Sequence, residues 1–360
     1  MPIWISLIAV LLIFNAIVFY IGFATSKWFF GSRTLVKKVY VIIFILLANV
    51  CMFGSMSEIS FFRAGSSYWM AIFYVLFLTV PILHIVIFFT RYSKINRIQA
   101  DKWAGIVTII MVVAIFTYGS YNAYNPVISS YEVEINNENE NQLNIVIVAD
   151  THFGILSGKN HAERMVDEIN KLEPDLVLIP GDIVDDSIYQ YVKQGMSDIL
   201  AKINSTYGVY ASLGNHDLGD IPELIEILEN SNMNILYDET IEIADSVTLV
   251  GRKDKTDDNR LSLSELMKDV DSTKPVILLD HQPYELDIAE EEGVDLMVSG
   301  HTHRGQLAPF QLFTQSIYEN DWGYLQKGKL HSIVTSGYGF WGPPIRTNSQ
   351  SEIVYTQFNY

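Results

Sequence analysis

The sequence predicts a membrane-spanning helical region followed by a sheet-centred α/β domain. Four long apolar segments lie in the first third of the chain, and five short apolar runs in the remainder each end on Asp, Asn or His. The 360 residues are 49% hydrophobic with a mean hydropathy of +0.19, which is too apolar for one ordinary soluble domain. Most of the excess lies in the four long segments.

The four long segments are residues 3–23, 40–56, 68–89 and 103–118. A helix needs roughly 17 to 25 apolar residues to cross the hydrocarbon core of a bilayer. We predict that all four cross the membrane and together form a transmembrane region of residues 1–121. A cleaved signal peptide is the alternative interpretation of the first segment, but no basic region precedes it and three further segments follow.

Basic residues in the loops between these segments predict the orientation. The second loop offers only Arg63, whereas the first and third loops carry Lys27, Arg33, Lys37 and Lys38, and Arg91, Lys94, Arg97 and Lys102. Short loops rich in Lys and Arg stay in the cytoplasm. We therefore predict a multi-pass protein of the cell membrane whose N-terminus and C-terminal domain lie outside the cytoplasm.

Charge separates the two parts of the chain. Residues 1–121 hold 9 basic and 2 acidic side chains (+7), and residues 122–360 hold 15 basic and 39 acidic ones (−24), in a chain of formal net charge −17. Binding to nucleic acid is not expected of so acidic a domain, because it needs cationic surface to displace counterions. The partner that the first part predicts is the lipid bilayer.

Residues 122–142 are predicted to form a junction and a first strand. The alternating YEVEI suggests an edge strand, and the Asn-rich NNENENQ suggests a turn. From residue 143 to residue 360, strand patterns alternate with helical ones, which predicts a sheet with helices outside. Asn160 and Glu163 resemble an N-cap and its capping-box partner, and residues 241–250 resemble a hairpin.

The five short apolar runs predict a dinuclear metal site. Runs rich in Val, Ile and Leu are typical of buried strands, and open α/β sheets gather their ligands outside the carboxyl ends of such strands. The runs end on Asp150 and His152, Asp182, Asn215 and His216, His281, and His301 and His303. Two divalent ions bound by carboxylate, carboxamide and imidazole groups without thiolate suit Mn, Fe or Zn.

The ordered motifs resemble the calcineurin-like metallophosphoesterase superfamily. They are Asp-x-His at 150–152, Gly-Asp-x-x-Asp at 181–185, Gly-Asn-His-Asp at 214–217, His281, and Gly-His-x-His at 300–303. The continuation GHTHRGQ and the closing GYGFWGPPIR resemble the membrane-associated bacterial branch of that family. The resemblance implies a four-layer αββα sandwich.

The resemblance also implies a role for each motif residue. One metal ion would be bound by Asp150, His152, Asp182 and His303, and the other by Asp182, Asn215, His281 and His301, so that Asp182 bridges the two. Ions roughly 3.5 to 4 Å apart activate a water molecule and clamp the phosphoryl oxygens.

Two further residues are predicted to be catalytic. His216 would stabilise the transition state and protonate the leaving oxygen. Asp217 would orient His216, or would instead be the N-cap of the next helix. Asp185 is expected to support the site rather than to bind metal.

Arg304 is a candidate substrate-binding residue, because it follows His303 at a position where relatives often carry glycine. A guanidinium there could fork onto a phosphate. The alternative is a surface arginine that pairs with an acidic neighbour.

The predicted function is a membrane-anchored phosphoesterase that hydrolyses its substrate with metal-activated water. A lipid or envelope phosphoester is the substrate hypothesis. One alternative is a pyrophosphatase of a nucleotide-linked or lipid-linked diphosphate. Another is a receptor or scaffold that keeps the fold without catalysis, against which stands the complete set of ligands.

Overall fold

The computed structural model describes residues 3–54, 57, 59–135, 141–185, 188–243 and 246–360. The chain divides into two compact units, one of residues 1–119 with 342–344 and one of residues 120–341 with 345–360. The turn predicted in the Asn-rich stretch falls mainly on residues 136–140, outside the described residues.

Four helices form the described part of the first unit: α1 (Ile3–Phe30), α2 (Thr34–Gly54), α3 (Ser60–Phe89) and α4 (Arg97–Tyr124). Each is long and apolar enough to cross a membrane. Small side chains such as Ala24 and Ala48 are buried where the helices pack, whereas large apolar ones such as Leu12 and Leu46 are exposed. This distribution suits a bundle surrounded by lipid.

Polar side chains join the helices of this unit. Asn15 of α1 and Asn49 of α2 exchange amide hydrogen bonds of 3.3 and 2.8 Å. Tyr20 of α1 contacts His84 of α3 through a hydrogen bond of 2.8 Å. Such bonds stabilise helix pairs in lipid, where water offers no alternative partner.

Helix α4 continues beyond its apolar segment into the predicted junction. Its last turn belongs to the second unit. The Asn122 amide donates to the carbonyl of Arg346, and the backbone N–H of Ser351 donates to the carbonyl of Asn122. These long-range bonds hold the chain helical up to Tyr124, which the sequence pattern did not indicate.

The described strands of the second unit form two six-stranded sheets. The first sheet contains β1 (Val127–Glu134), β2 (Gln142–Ile147), β3 (Leu176–Pro180), β4 (Val209–Ser212), β5 (Met233–Ile235) and, closing the chain, β12 (Glu352–Asn359), in the order β1-β12-β2-β3-β4-β5. The second sheet contains β6 (Glu239–Ile243), β7 (Val247–Gly251), β8 (Val276–Leu279), β9 (Leu296–Ser299), β10 (Gly323–Lys327) and β11 (Leu330–Val334), in the order β10-β11-β9-β8-β7-β6.

Helices cover the outer faces of both sheets. The first sheet packs against α5 (Lys159–Lys171), α6 (Ile188–Lys193), α7 (Met196–Leu200) and α8 (Ile221–Glu229), and the second against α9 (Leu263–Met267) and α10 (Leu286–Glu291). Side chains alternate between the two faces of a strand. In β2, Ile145 and Ile147 therefore face the second sheet and Val146 faces the helices. The predicted four-layer αββα sandwich is confirmed.

Local predictions met different outcomes. β1 lies at the edge of its sheet, as the alternating YEVEI predicts, and β6 and β7 form the predicted hairpin around residues 244–245, which are not described. The capping box at Asn160 is wrong. Helix α5 begins at Lys159 after Gly158, and its first N–H is satisfied by the distant side chain of Gln194.

Candidate metal centre

The candidate ligands lie at the carboxyl ends of five strands. β2, β3 and β4 are parallel neighbours in the first sheet, and β8 and β9 are parallel neighbours in the second. Parallel neighbours end at the same edge of a sheet, where open α/β sheets bind ligands. The chain reaches Asp150 and His152 after β2, Asp182 after β3, Asn215 after β4, His281 after β8, and His301 and His303 after β9.

Two clusters of metal-ligand type form there. Asp150, His152 and His303 make the first cluster, and each offers one ligand atom within 4.8 Å of the others. His152 Nε2 lies 3.1 Å from His303 Nε2, which lies 3.6 Å from Asp150 Oδ1. All three residues are buried.

The second cluster consists of Asp182, His281 and His301, again with ligand atoms within 4.8 Å of one another. His281 Nε2 lies 3.2 Å from Asp182 Oδ2 and 3.2 Å from the Asn215 side-chain oxygen. Asn215 therefore adds a carboxamide to this cluster.

Asp182 stands between the two clusters. Its Oδ2 lies 3.2 Å from His281 Nε2 and 3.7 Å from His152 Nε2, a residue of the first cluster. Its Oδ1 accepts a hydrogen bond of 2.8 Å from the backbone N–H of His216. One carboxylate thus reaches both groups of ligands.

Bonds between the two sheets orient the ligands. The Pro180 carbonyl in the first sheet lies 3.0 Å from Nδ1 of His281, and since a carbonyl only accepts, Nδ1 carries a proton and Nε2 is the ring nitrogen that faces Asp182. The backbone N–H of His301 in turn contacts both carboxylate oxygens of Asp150 at 3.0 Å.

The backbone of the site is strained. Asp150, His152, Asp182, His301 and His303 all have φ between 43° and 68°, the left-handed region that residues other than glycine rarely adopt. Such conformations cost free energy and cluster at functional sites. Glycines at 214 and 300 allow the close approach, because a Cβ on either would collide with a carboxylate oxygen of Asp182 or Asp150.

Burial and mutual charge set the protonation of the clusters. Burial raises the pKa of the Asp150 carboxyl to about 7, and the charge of Asp182 acts in the same direction. Burial opposes ionisation of Asp182 too, but His281 and His152 hold its pKa well below the usual range. Burial lowers the pKa of His152 and of His301 to about 4. Those two imidazoles are therefore neutral near pH 7 and offer a lone pair.

These residues fit a pair of divalent cations. Burial opposes a charge on His281, but the neighbouring Asp182 carboxylate outweighs it and raises the pKa of His281 to about 10. A cation in the second cluster would take the place of that proton. In the first cluster the buried Nδ1 of His152 has no hydrogen-bond partner among the described residues, and a carboxylate oxygen of Asp185 lies 4.0 Å away.

His216 lies at the edge of the clusters and is half-buried. Its ring centroid is 5.1 Å from that of His152 and 6.2 Å from that of Trp341, whose side chain is exposed. His216 is therefore close enough to the clusters to contact a group bound there.

Asp217 is buried and serves the backbone. Its carboxylate accepts N–H bonds of 2.8 to 2.9 Å from Ile183, Val184 and Gly214. It is not the N-cap of the next helix, since the N-cap of α8 is Asp220. Asp217 therefore joins the loop after β3 to the loop after β4, on which His216 lies.

Arg304 stacks on an aromatic ring. Its guanidinium carbon lies 3.7 Å from the centroid of Trp322, and the residue is half-buried with φ 50°. The sequence did not predict this cation–π contact, and the phosphate-binding role of Arg304 stays a prediction.

Arg346 is a site residue that the sequence analysis missed. Its guanidinium is fully buried and donates to the carbonyls of Ser336 and Gly337 and to Nδ1 of His303 at 3.1 Å. A guanidinium only donates, so Nδ1 of His303 accepts this bond, and in the neutral ring the proton is on Nε2, the atom that lies 3.1 Å from Nε2 of His152. The sequence feature that could have indicated this residue is its position at the end of the closing GYGFWGPPIR motif.

The αββα sandwich with these clusters at its strand ends is the architecture of a metallophosphoesterase. Residues 143–305 match the family model described as calcineurin-like phosphoesterase. The chain belongs to this family.

Several relatives are described as uncharacterized metallophosphoesterases. One from Campylobacter jejuni is 31% identical over 269 residues, which are 69% of this chain and 68% of the relative. One from Helicobacter pylori is 35% identical over 223 residues, 60% of each chain, so this chain spans about 60% of the length of that relative. A zebrafish relative, 28% identical over 269 residues, 69% of this chain and 61% of the relative, is described as a transmembrane protein with metallophosphoesterase domain.

Among solved structures, a Thermus thermophilus protein is similar, with 13% identity and a TM-score of 0.40 over 55% of this chain and 92% of that protein.

Proposed function

We propose that this protein is a membrane-anchored phosphoesterase that binds two divalent cations and hydrolyses a phosphoester. The position of Asp182 carries the proposal, because its carboxylate lies 3.7 Å from His152 of one cluster and 3.2 Å from His281 of the other. Asp150, His152, Asp182 and His303 would hold one cation, and Asp182, Asn215, His281 and His301 the other.

The chain contributes positioning and proton transfer. Divalent cations supply Lewis acidity and a nucleophilic water at neutral pH when they are bound. Asp182 keeps the ligands of both clusters together and, through its bond to the His216 backbone, fixes the loop that carries the imidazole. The His216 side chain would donate a proton to the leaving oxygen, as general acids do. Asp217, on the same loop as His216, connects that loop to the loop after β3 by accepting backbone bonds from Ile183, Val184 and Gly214.

Comparing two alanine variants of the full-length protein tests this assignment. Asp182→Ala removes the group shared by both clusters, so we expect it to lose both cations and all phosphoesterase activity. His216→Ala should keep both cations and lose turnover by about 10²- to 10⁴-fold, as for other general acids. The measurements are metal content by mass spectrometry and hydrolysis of phosphomonoesters, phosphodiesters and lipid-linked diphosphates.

Asp258→Ala, at an exposed carboxylate, is the matched control and should retain metal and activity. Equal loss of metal in the Asp182 and His216 variants would contradict the separation of ligand from acid. Inactivity of the metal-loaded wild type on the whole panel would favour a receptor or scaffold.

We further propose a phosphoester of the membrane or envelope as substrate. Four helices can anchor the chain in a bilayer. Tethering raises the effective concentration of groups at the same surface, and dilute soluble substrates gain nothing from it.

For the full-length protein in liposomes, we expect a higher kcat/KM on a lipid phosphoester than on a soluble analogue with the same headgroup. The reference is the ratio of kcat/KM on the lipid phosphoester to kcat/KM on the soluble analogue, measured in detergent micelles without added lipid. Equal efficiency on both substrates in liposomes would contradict this substrate class.

A further inference from the structure

One short helix of the second unit exposes an apolar surface. Helix α11 (Gln311–Ile317) follows the metal-ligand loop after β9, and none of its residues is buried. Four large apolar side chains in and beside it are exposed by half or more: Phe310, Leu312, Phe313 and Ile317. We call these four residues the α11 surface.

The α11 surface is unusual for this domain. Residues 122–360 carry 39 acidic and 15 basic side chains, yet residues 305–318 carry none of either sign. Adjacent exposed apolar side chains without charges among them are typical of an interaction site rather than of ordinary surface. The lack of charge also makes this surface chemically different from the metal clusters, whose ligands include carboxylates and imidazoles.

The helix lies next to the candidate metal centre. The chain passes from His303 through a short 3₁₀ turn, His303–Gly305, to Phe310 at the start of α11. Tyr318 follows the helix, and its ring centroid lies 6.0 Å from that of His301. Both ends of α11 are therefore linked to ligands of the clusters.

The helix also lies near the point where α4 enters the second unit. The backbone N–H of Ala308 donates to the Thr347 hydroxyl at 2.9 Å, and the Thr347 N–H donates to the Gln306 carbonyl at 2.9 Å. The carbonyl of the preceding residue, Arg346, accepts from Asn122 in the last turn of α4. A short series of hydrogen bonds thus connects the start of α11 to α4, which is long and apolar enough to cross a bilayer.

We propose that the α11 surface rests in the headgroup region of the bilayer that α4 crosses, with its four apolar side chains inserted. Interfacial helices bury their apolar face roughly 5 to 10 Å into the boundary between headgroups and acyl chains. We assign lipid as the occupant because hydrogen bonds of Ala308 and Thr347, and of Arg346 with Asn122, connect the start of α11 to the last turn of α4, a helix long and apolar enough to cross a bilayer. This contact is a function in addition to hydrolysis, since it would hold the candidate metal ligands close to the lipid surface.

The polar residues of α11 set the lipid preference. Gln311, Thr314, Gln315 and Ser316 are uncharged, so the helix itself offers no cation to attract anionic headgroups. Interfacial helices that depend on anionic lipid carry Lys or Arg on the polar face. The contact should therefore form in zwitterionic phosphatidylcholine and gain nothing from added phosphatidylglycerol.

Depth-dependent fluorescence quenching of the full-length protein tests the contact. Cys51→Ser removes the one cysteine of the chain, and Phe313→Cys then carries an environment-sensitive fluorophore. In phosphatidylcholine liposomes with nitroxide lipids, the label at 313 should lose most of its emission and shift to the blue. Ile241→Cys, at an exposed apolar residue of β6, is the matched control and should do neither.

Two outcomes would overturn the proposal. One is a label at 313 that is quenched no more than the label at 241. The other is a short distance between spin labels at 313 of two molecules at every protein-to-lipid ratio, which would assign the surface to a second copy of the chain. Because both measurements are independent of hydrolysis, either result leaves the proposed phosphoesterase function to its own test.

Discussion

Asp217 shows how a motif residue next to a histidine can act through the backbone. Its carboxylate oxygens accept three N–H bonds from two loops, those after β3 and β4. An ionised carboxylate has only acceptors, so it can satisfy three donors at once. The residue is therefore a positioning residue for Asp182 and His216, which lie on the same two loops.

Asp217→Asn tests this positioning role. An asparagine offers one oxygen and an NH₂ group, so at least one backbone N–H would face a donor and stay unsatisfied. We expect the free energy of unfolding to fall by about 1 to 3 kcal/mol, the cost of a buried unsatisfied group. The measurements are the midpoint temperature of thermal unfolding and the metal content, and both should be lower than in the wild type.

Asp220→Asn is the control for that prediction. Asp220 is the N-cap of α8 and accepts from the Glu223 backbone, and Asn caps helices about as well as Asp. The control should match the wild type. An Asp217 variant with unchanged stability and metal content would show that the three backbone bonds are dispensable.

At the scale of elements, the strands could be predicted and their long-range partners could not. The apolar runs marked β2, β3, β4, β8 and β9 because buried strands are continuously apolar and each ligand follows its strand within a few residues. The contact of Arg346 with His303 joins positions 43 apart, and no local pattern indicates it. The start of α5 likewise depends on Gln194, which is 35 residues away.

Arg346 joins the chain segments that flank the closing motif. It donates to carbonyls at residues 336, 337, 339 and 350 and to the Ser349 hydroxyl, besides His303. No carboxylate in the described part of the chain is bonded directly to this guanidinium, so its burial costs free energy, which these bonds offset. The arrangement ties the position of one candidate ligand to the shape of this part of the domain.

Arg346→Lys should weaken both the fold and the first metal cluster. Lysine keeps the charge but has three donors on one atom, so it cannot reach acceptors arranged around a planar fork. Loss of two such bonds would lower the free energy of unfolding by about 3 kcal/mol or more. We expect thermal unfolding at a lower temperature and a metal content near one ion per chain instead of two.

Arg164→Lys is the matched control, because Arg164 is exposed and its guanidinium donates to the carbonyl of Tyr124, the last residue of α4, and to the side chain of Asn125. It should retain full metal content. If Arg346→Lys retained two ions as well, the contact with His303 would have no part in metal binding.

At the scale of the whole molecule, charge and hydrophobicity divide the chain in the same place. The first 121 residues carry the four apolar helices and a charge of +7, and the remainder carries −24. Most of the positive charge lies in the first and third loops, and moving such loops across a membrane is unfavourable. With an even number of spans, we therefore predict that the domain with the metal clusters lies on the side of the membrane opposite to those loops.

Cysteine labelling in intact cells tests this orientation. In a Cys51→Ser background, Ile241→Cys of the second unit should react with a maleimide that does not cross membranes, once any wall is removed. Ser32→Cys, in the first loop between α1 and α2, should react only after lysis, because the basic loop is predicted to face the cytoplasm. Both residues are exposed, so accessibility differs only through the membrane. Labelling of Ser32→Cys alone in intact cells would place the phosphoesterase domain in the cytoplasm and restrict its substrates to the inner surface of the membrane.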